Sequence, residues 1–129
     1  MDLRIDNAQL KRTVSRAKER RVVIPTFEQM INPSKAPQAI KDRLRKVGLW
    51  DVDPANMFRV TWKNEQREKG GQFGGVNFLE IPREITGVKA RIFGILGKWF
   101  PTGAHKVGAA SGCLVPRLVT GQFDPTGMK

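Results

Sequence analysis

One histidine–lysine pair carries most of the chemistry this sequence offers. His105 and Lys106 stand in Lys98-Trp99-Phe100-Pro101-Thr102-Gly103-Ala104-His105-Lys106-Val107-Gly108-Ala109-Ala110, just after the apolar run Ile92-Phe93-Gly94-Ile95-Leu96. The pattern predicts a strand, a Pro-Thr-Gly turn and a helix of small residues with a lysine in its first turn. Amide N–H groups at a helix start lack intrahelical partners and favour anions. A lysine placed there is a charge partner, or a nucleophile and base if burial and nearby positive charge keep its amine neutral. The plainer alternatives are a surface lysine at Lys106 and a partly buried packing histidine at His105.

Other groups offer less. Cys113 has no histidine at a spacing that suggests activation, and it reads as a small buried residue of the helix after Lys106. Asp51 and Asp53 lack a histidine or further acid at calcium-loop spacing, so they belong to a turn and no metal site is expected. Gly70-Gly71-Gln72-Phe73-Gly74-Gly75 could cradle a phosphate. It lacks both the Walker lysine spacing and the strand–GxGxxG–helix context, so it reads as a linker. Trp50, Trp62 and Trp99 read as core residues.

The elements that must position Lys106 follow from periodicity and punctuation. Asp6 or Asn7 can cap a helix to about Arg20, with Leu10, Val14 and Ala17 on its apolar stripe. Thr26 and Gln29 have capping-box spacing, which predicts one helical turn over Phe27 to Ile31 before Asn32-Pro33. A second helix starts at Ser34 or Ala36, buries Ile40, Leu44 and Val47, and closes at Gly48. Phe58, Val60 and Trp62 alternate with Arg59, Thr61 and Lys63, which predicts a half-buried strand over 57–63. Arg83 to Thr86 reads as a short turn or helix closed by Gly87. Residues 88–96 read as a strand that passes into a sheet interior, with the 104–115 helix packed on it. Pro116 should end or kink that helix, with Arg117 to Thr120 able to resume it.

Length and charge set bounds. At 129 residues and 14.5 kDa the chain is at most one small domain, and 40% apolar residues allow a modest core. The net charge is +11, and the first fifty residues hold 12 basic against 5 acidic groups. The basic first helix could face nucleic acid or an anionic surface, yet it interleaves no aromatic residue as single-strand binding requires. A non-catalytic nucleic-acid-binding module is therefore the competing class, and nucleic acid is not the expected partner. The lone cysteine fits a reducing compartment. No secretory h-region and no membrane-length apolar run is expected, so the sequence reads as cytoplasmic with no membrane association.

Thr102-Gly103-Ala104-His105-Lys106 resembles the Schiff-base lysine motif of fold-type-II pyridoxal-phosphate (PLP) enzymes, the family of the tryptophan synthase β-subunit, cysteine synthase and threonine dehydratase. The Thr-Gly-Ala-His-Lys form is similar to that of tryptophan synthase β, and the resemblance covers roughly residues 76–129. It implies an α/β fold with a basic helical region, one strand and a Gly-rich loop over 1–75, then the start of a PLP-binding domain over 76–129. It also implies pyridoxal 5′-phosphate as cofactor, Lys106 as catalytic residue, and His105, Thr102 and Gly103 beside Lys106 at the cofactor. The implied reaction is β-elimination or β-replacement on a small-molecule amino acid, a lyase or synthase activity. The complete enzyme would be a possible homodimer. The substrate-carboxylate loop of Ser/Thr-Gly-Asn type and the glycine-rich phosphate loop are not found in these residues. The chain thus corresponds to an N-terminal portion expected to be inactive by itself.

Overall fold

The computed structural model describes residues 4–66 and 73–123. The architecture is mixed helix and strand: five α-helices, α1 (Asn7–Glu19), α2 (Phe27–Ile31), α3 (Gln38–Leu44), α4 (Arg83–Thr86) and α5 (Lys106–Val119), and two strands, β1 (Phe78–Ile81) and β2 (Ile92–Ile95), among the described residues. Local signals set most boundaries. The Asp6 carboxylate accepts from the Gln9 amide and caps α1. Thr26 and Gln29 form a reciprocal capping box on α2, satisfying two of the donors a helix start leaves orphaned. Gly87, at φ +67°, closes α4 where a side chain would be strained.

The core is built around α3. Leu44, Ala36, Ala55 and Phe58 are buried together, with Ile40 and Phe73 packed on them, so Ile40 and Leu44 of the expected stripe face inward. The helix ends at Leu44, short of the expected closure at Gly48, and Val47 is buried beyond its end. Residues 57–63 do not form the expected strand. Pro54–Arg59 is a 3-10 helix capped by Asp53, followed by a bend and turn through Lys63. The physical reason is Arg59, whose side chain is 1% exposed. Strand alternation would have sent it to solvent. The 3-10 turn instead aims it inward, where it pairs with Glu65 and donates to the carbonyls of Val47 (2.9 Å) and Leu44 (2.7 Å) and to Asn56 Oδ1 (2.6 Å). A buried guanidinium is tolerated only with this degree of pairing.

The 88–96 prediction is corrected in extent and environment. Only Ile92–Ile95 is strand, and it pairs antiparallel with β1 in a two-stranded sheet, in the register Phe78↔Ile95, Leu79↔Gly94, Glu80↔Phe93 and Ile81↔Ile92. Ile92, Phe93, Ile95 and Leu96 are exposed, as are Phe78 and Leu79, so this is not a sheet interior. The pair is held by an edge-to-face contact of Phe78 with Phe93 (5.2 Å) and by bidentate hydrogen bonds from Arg91 to Glu80 (2.7 and 2.8 Å). A hairpin of this size adds little stability by itself.

Helix α5 is unbroken through Pro116, with Thr120 hydroxyl and amide both donating to the Pro116 carbonyl at its end. It packs on α1. The Asp6 amide donates to the Thr120 carbonyl at 2.9 Å, and Gly121, at φ +76°, lies where α1 passes so closely that no side chain fits. Glycine at this position lets the first and last described helices meet.

Candidate functional site

The lysine turn begins with a buried anchor. Phe100 is 2% exposed, and Pro101 beside it is also buried. The Phe100 ring lies against the bare Cα of Gly108, where a Cβ would stand 3.1 Å from it, so the glycine of α5 admits the aromatic. Past that anchor the backbone reverses in a single 3-10 turn over Pro101–Gly103. Thr102 and Gly103 are both left-handed, at φ +62° and +68°. For glycine this is free, whereas for threonine it costs on the order of 1–2 kcal/mol. The turn is held by hydrogen bonds from the Thr102 amide to the Leu49 carbonyl (2.8 Å) and from the Gly103 amide to the Phe100 carbonyl (2.9 Å).

The turn delivers Lys106 as the first residue of α5, with His105 at the N-cap in helical backbone geometry and making no side-chain cap bond. The amides of Val107 and Gly108 bond back to the carbonyls of Ala104 and His105. Those of Ala104, His105 and Lys106 have no partner among the described residues, and they stand at the positive end of a 14-residue helix. Lys106 and His105 are exposed. The Lys106 amine also has no partner among the described residues, whereas the Lys98 amine lies over the Trp99 ring at 4.8 Å. Thr102 and Gly103 are exposed beside them. The four predicted site residues are therefore brought together on one turn, with a primary amine, an imidazole and unpaired amides at one helix end.

Sequence reasoning missed one participant. Trp62, expected on the core face of a strand, is 41% exposed and stacks on the His105 ring, with centroids 5.9 Å apart and planes at 28°. Its other contact is an edge-to-face approach to Phe100 at 5.0 Å. No local pattern could have revealed a contact between such distant positions.

The remaining candidates do not join this site. Cys113 is exposed on α5 rather than buried. Asp51 accepts from the Gly48 amide and Asp53 from the Ala55 amide, both turn-closing roles. The Asp53 carboxyl is held below its ordinary value by the Ala55 amide first and by the Arg43 guanidinium second. Of the Gly-rich loop, residues 70–72 lie outside the described residues, while Phe73 packs on the α3 core. An open recess of about 390 Å³ is lined by Asn64, Gln66, Gly74, Gly75, Val76, Asn77 and Phe78, so the end of the Gly-rich loop borders it and no residue of the lysine turn does. Among the described residues no helix is long and apolar enough to cross a membrane. Comparison with protein-family models, with curated protein sequences and with solved structures returns no match.

Proposed function

We propose that Thr102–Lys106 is the lysine turn of a fold-type-II PLP-dependent enzyme. On this reading the chain is the N-terminal portion of a cytoplasmic lyase or synthase acting on an amino acid by β-elimination or β-replacement. The observation that carries the reading is the left-handed Thr102. A non-glycine residue in that region is strained, and such strain persists where the surroundings hold it and collects at functional sites. Here it serves to start α5 at Lys106, with the His105 imidazole alongside and three amides that have no partner among the described residues.

The residues fit the cofactor's chemistry. Lys106 offers an unpartnered primary amine to an aldehyde, and the helix end with His105 suits an anionic phosphate. Pyridoxal phosphate supplies an electron sink for a carbanion when bound. Lys106 would hold it and afterwards serve as base, a task that needs a neutral amine and therefore a covered one. Lys106 is exposed here, and so is the apolar hairpin of Phe78, Leu79, Phe93 and Ile95. Both observations support a reading in which further sequence of the complete enzyme, a homodimer in this proposal, covers this face.

The test is an absorbance titration with PLP. A visible band that grows with the wild-type chain and with Lys98→Ala, and is largely lost in Lys106→Ala, is the expected result. An unchanged band in Lys106→Ala would remove the basis of the proposal.

A further inference from the structure

The His105 ring is held from two sides by residues outside the pentapeptide. One face meets Trp62, at 5.9 Å between centroids and 28° between planes. On the backbone side, Gly97 passes so close that a Cβ there would stand 2.7 Å from the His105 Cβ and 3.2 Å from its Cγ. Trp62 is itself fixed by the buried Phe100 ring, which packs edge-to-face at 5.0 Å. The imidazole is thus stacked on a tryptophan, while its Cβ and Cγ lie against a bare Cα.

We infer that Trp62 is a positioning residue of the Lys106 site, acting through His105: it fixes the imidazole beside Lys106 so that the site prefers an aldehyde carrying a phosphate over one without it. This rests on the PLP reading above and adds to it a specificity determinant from outside the lysine turn. A free histidine side chain at the surface samples several rotamers, and ordering it on binding weakens whatever it recognises. A stacked ring has already lost that freedom. An imidazole N–H held in place then gives a charge-assisted hydrogen bond to phosphate, which is about twice as strong as a neutral one. 5′-Deoxypyridoxal, which has the same free aldehyde and a methyl group in place of the phosphate ester, forfeits that bond while its reaction at Lys106 is the same. In both cases the Lys106 amine adds to the aldehyde carbon with loss of water, and borohydride delivers hydride to fix the C=N linkage as a secondary amine.

The experiment compares borohydride trapping at Lys106 with PLP and with 5′-deoxypyridoxal, site-resolved by peptide mapping of the full chain. Wild type should label with PLP about tenfold faster than with 5′-deoxypyridoxal, the size expected of one charged hydrogen bond. Trp62→Leu should bring that ratio to within about twofold, and Trp62→Phe should keep most of the preference. His105 is the sole histidine, so its imidazole proton signals are unambiguous, and the upfield ring-current shift of the stack should vanish in Trp62→Leu. Trp62 is 41% exposed, so its truncation leaves the fold standing. Gly97→Ala, which presses on the His105 Cβ and Cγ without replacing Trp62, provides an independent variant with the same expected loss of preference. A ratio unchanged in Trp62→Leu after the ring-current shift has gone overturns the role of Trp62 alone. Absence of label at Lys106 with both aldehydes overturns the PLP reading and this inference together.

Discussion

Gly121→Ala tests how the first and last described helices are joined, and its cost can be worked from the structure. Two penalties apply. Gly121 sits at φ +76°, where a side chain costs on the order of 1–2 kcal/mol. A Cβ there would also press on the Asp6 carbonyl and stand 2.6 Å from the Leu10 nitrogen and 3.0 Å from its Cα. These are backbone atoms of α1 and its cap, which cannot swing aside, so overpacking adds roughly 1–3 kcal/mol. Alanine recovers about 0.4–1 kcal/mol through the unfolded chain. The net expectation is a loss of about 2–4 kcal/mol. Gly87→Ala is the matched control, because it has φ +67° and nothing within 4 Å of the added Cβ, so only the backbone penalty applies and about 1 kcal/mol is expected. Urea unfolding of the two variants under one condition measures the difference directly. Amide exchange at Asp6, whose N–H is bonded to the Thr120 carbonyl, should rise only in Gly121→Ala. Equal destabilisation of the two variants would mean that α1 and α5 do not meet closely, and would refute the packing argument.

Arg59→Leu should destabilise by about 3–5 kcal/mol, since it leaves Glu65 buried without its partner and removes the guanidinium's bonds to the Val47 and Leu44 carbonyls; the double variant Arg59→Leu/Glu65→Leu should recover part of this in urea unfolding. Gly97→Ala should cost roughly 1–3 kcal/mol by overpacking against His105 and shift the histidine signals in NMR, whereas Gly112→Ala, with nothing within 4 Å, should do neither. For pH, the folded Asp53 and Glu80 carboxyls titrate below their ordinary values of 3.8 and 4.5, Asp53 chiefly through the Ala55 amide and Glu80 chiefly through Arg91. Their contribution is therefore complete above those values and is lost as pH falls through the lower folded ones. Asp53→Asn and Glu80→Gln should each flatten the acid limb of a stability–pH curve and leave its neutral region less affected; an unchanged acid limb would contradict this.

What was legible in the sequence was local. Asp6, the Thr26–Gln29 pair and Gly87 set helix ends through bonds or backbone angles spanning a few residues, and each is where its pattern put it. Leu44 is buried as the helical stripe required, whereas Val47 is buried beyond the end of α3. The misreading at 57–63 had a non-local cause. Phe58, Val60 and Trp62 alternate as a strand would, but Arg59 is drawn inward by Glu65 and by carbonyls of the α3 region. Trp62 goes to His105 instead of to a sheet face. The run from Ile92 to Leu96 is apolar enough for a sheet interior, yet its only strand partner among the described residues is β1, and the side chains stay exposed. For the site, the pentapeptide located Lys106, His105, Thr102 and Gly103 on one turn. The strain at Thr102 and the grip on His105 required coordinates.

On the proposed reading Lys106 stands apart from the other lysines as the amine an aldehyde phosphate finds. The chain has eleven lysines, and most are ordinary surface amines. Limited treatment with PLP and borohydride, followed by quantitative peptide mapping, ranks all of them in one measurement. The account expects Lys106 to carry more label than any other lysine and inorganic phosphate to suppress it there selectively, with Lys98, turned onto Trp99, labelled no more than the rest. Label spread evenly over the surface lysines, or concentrated on Lys98, would contradict it.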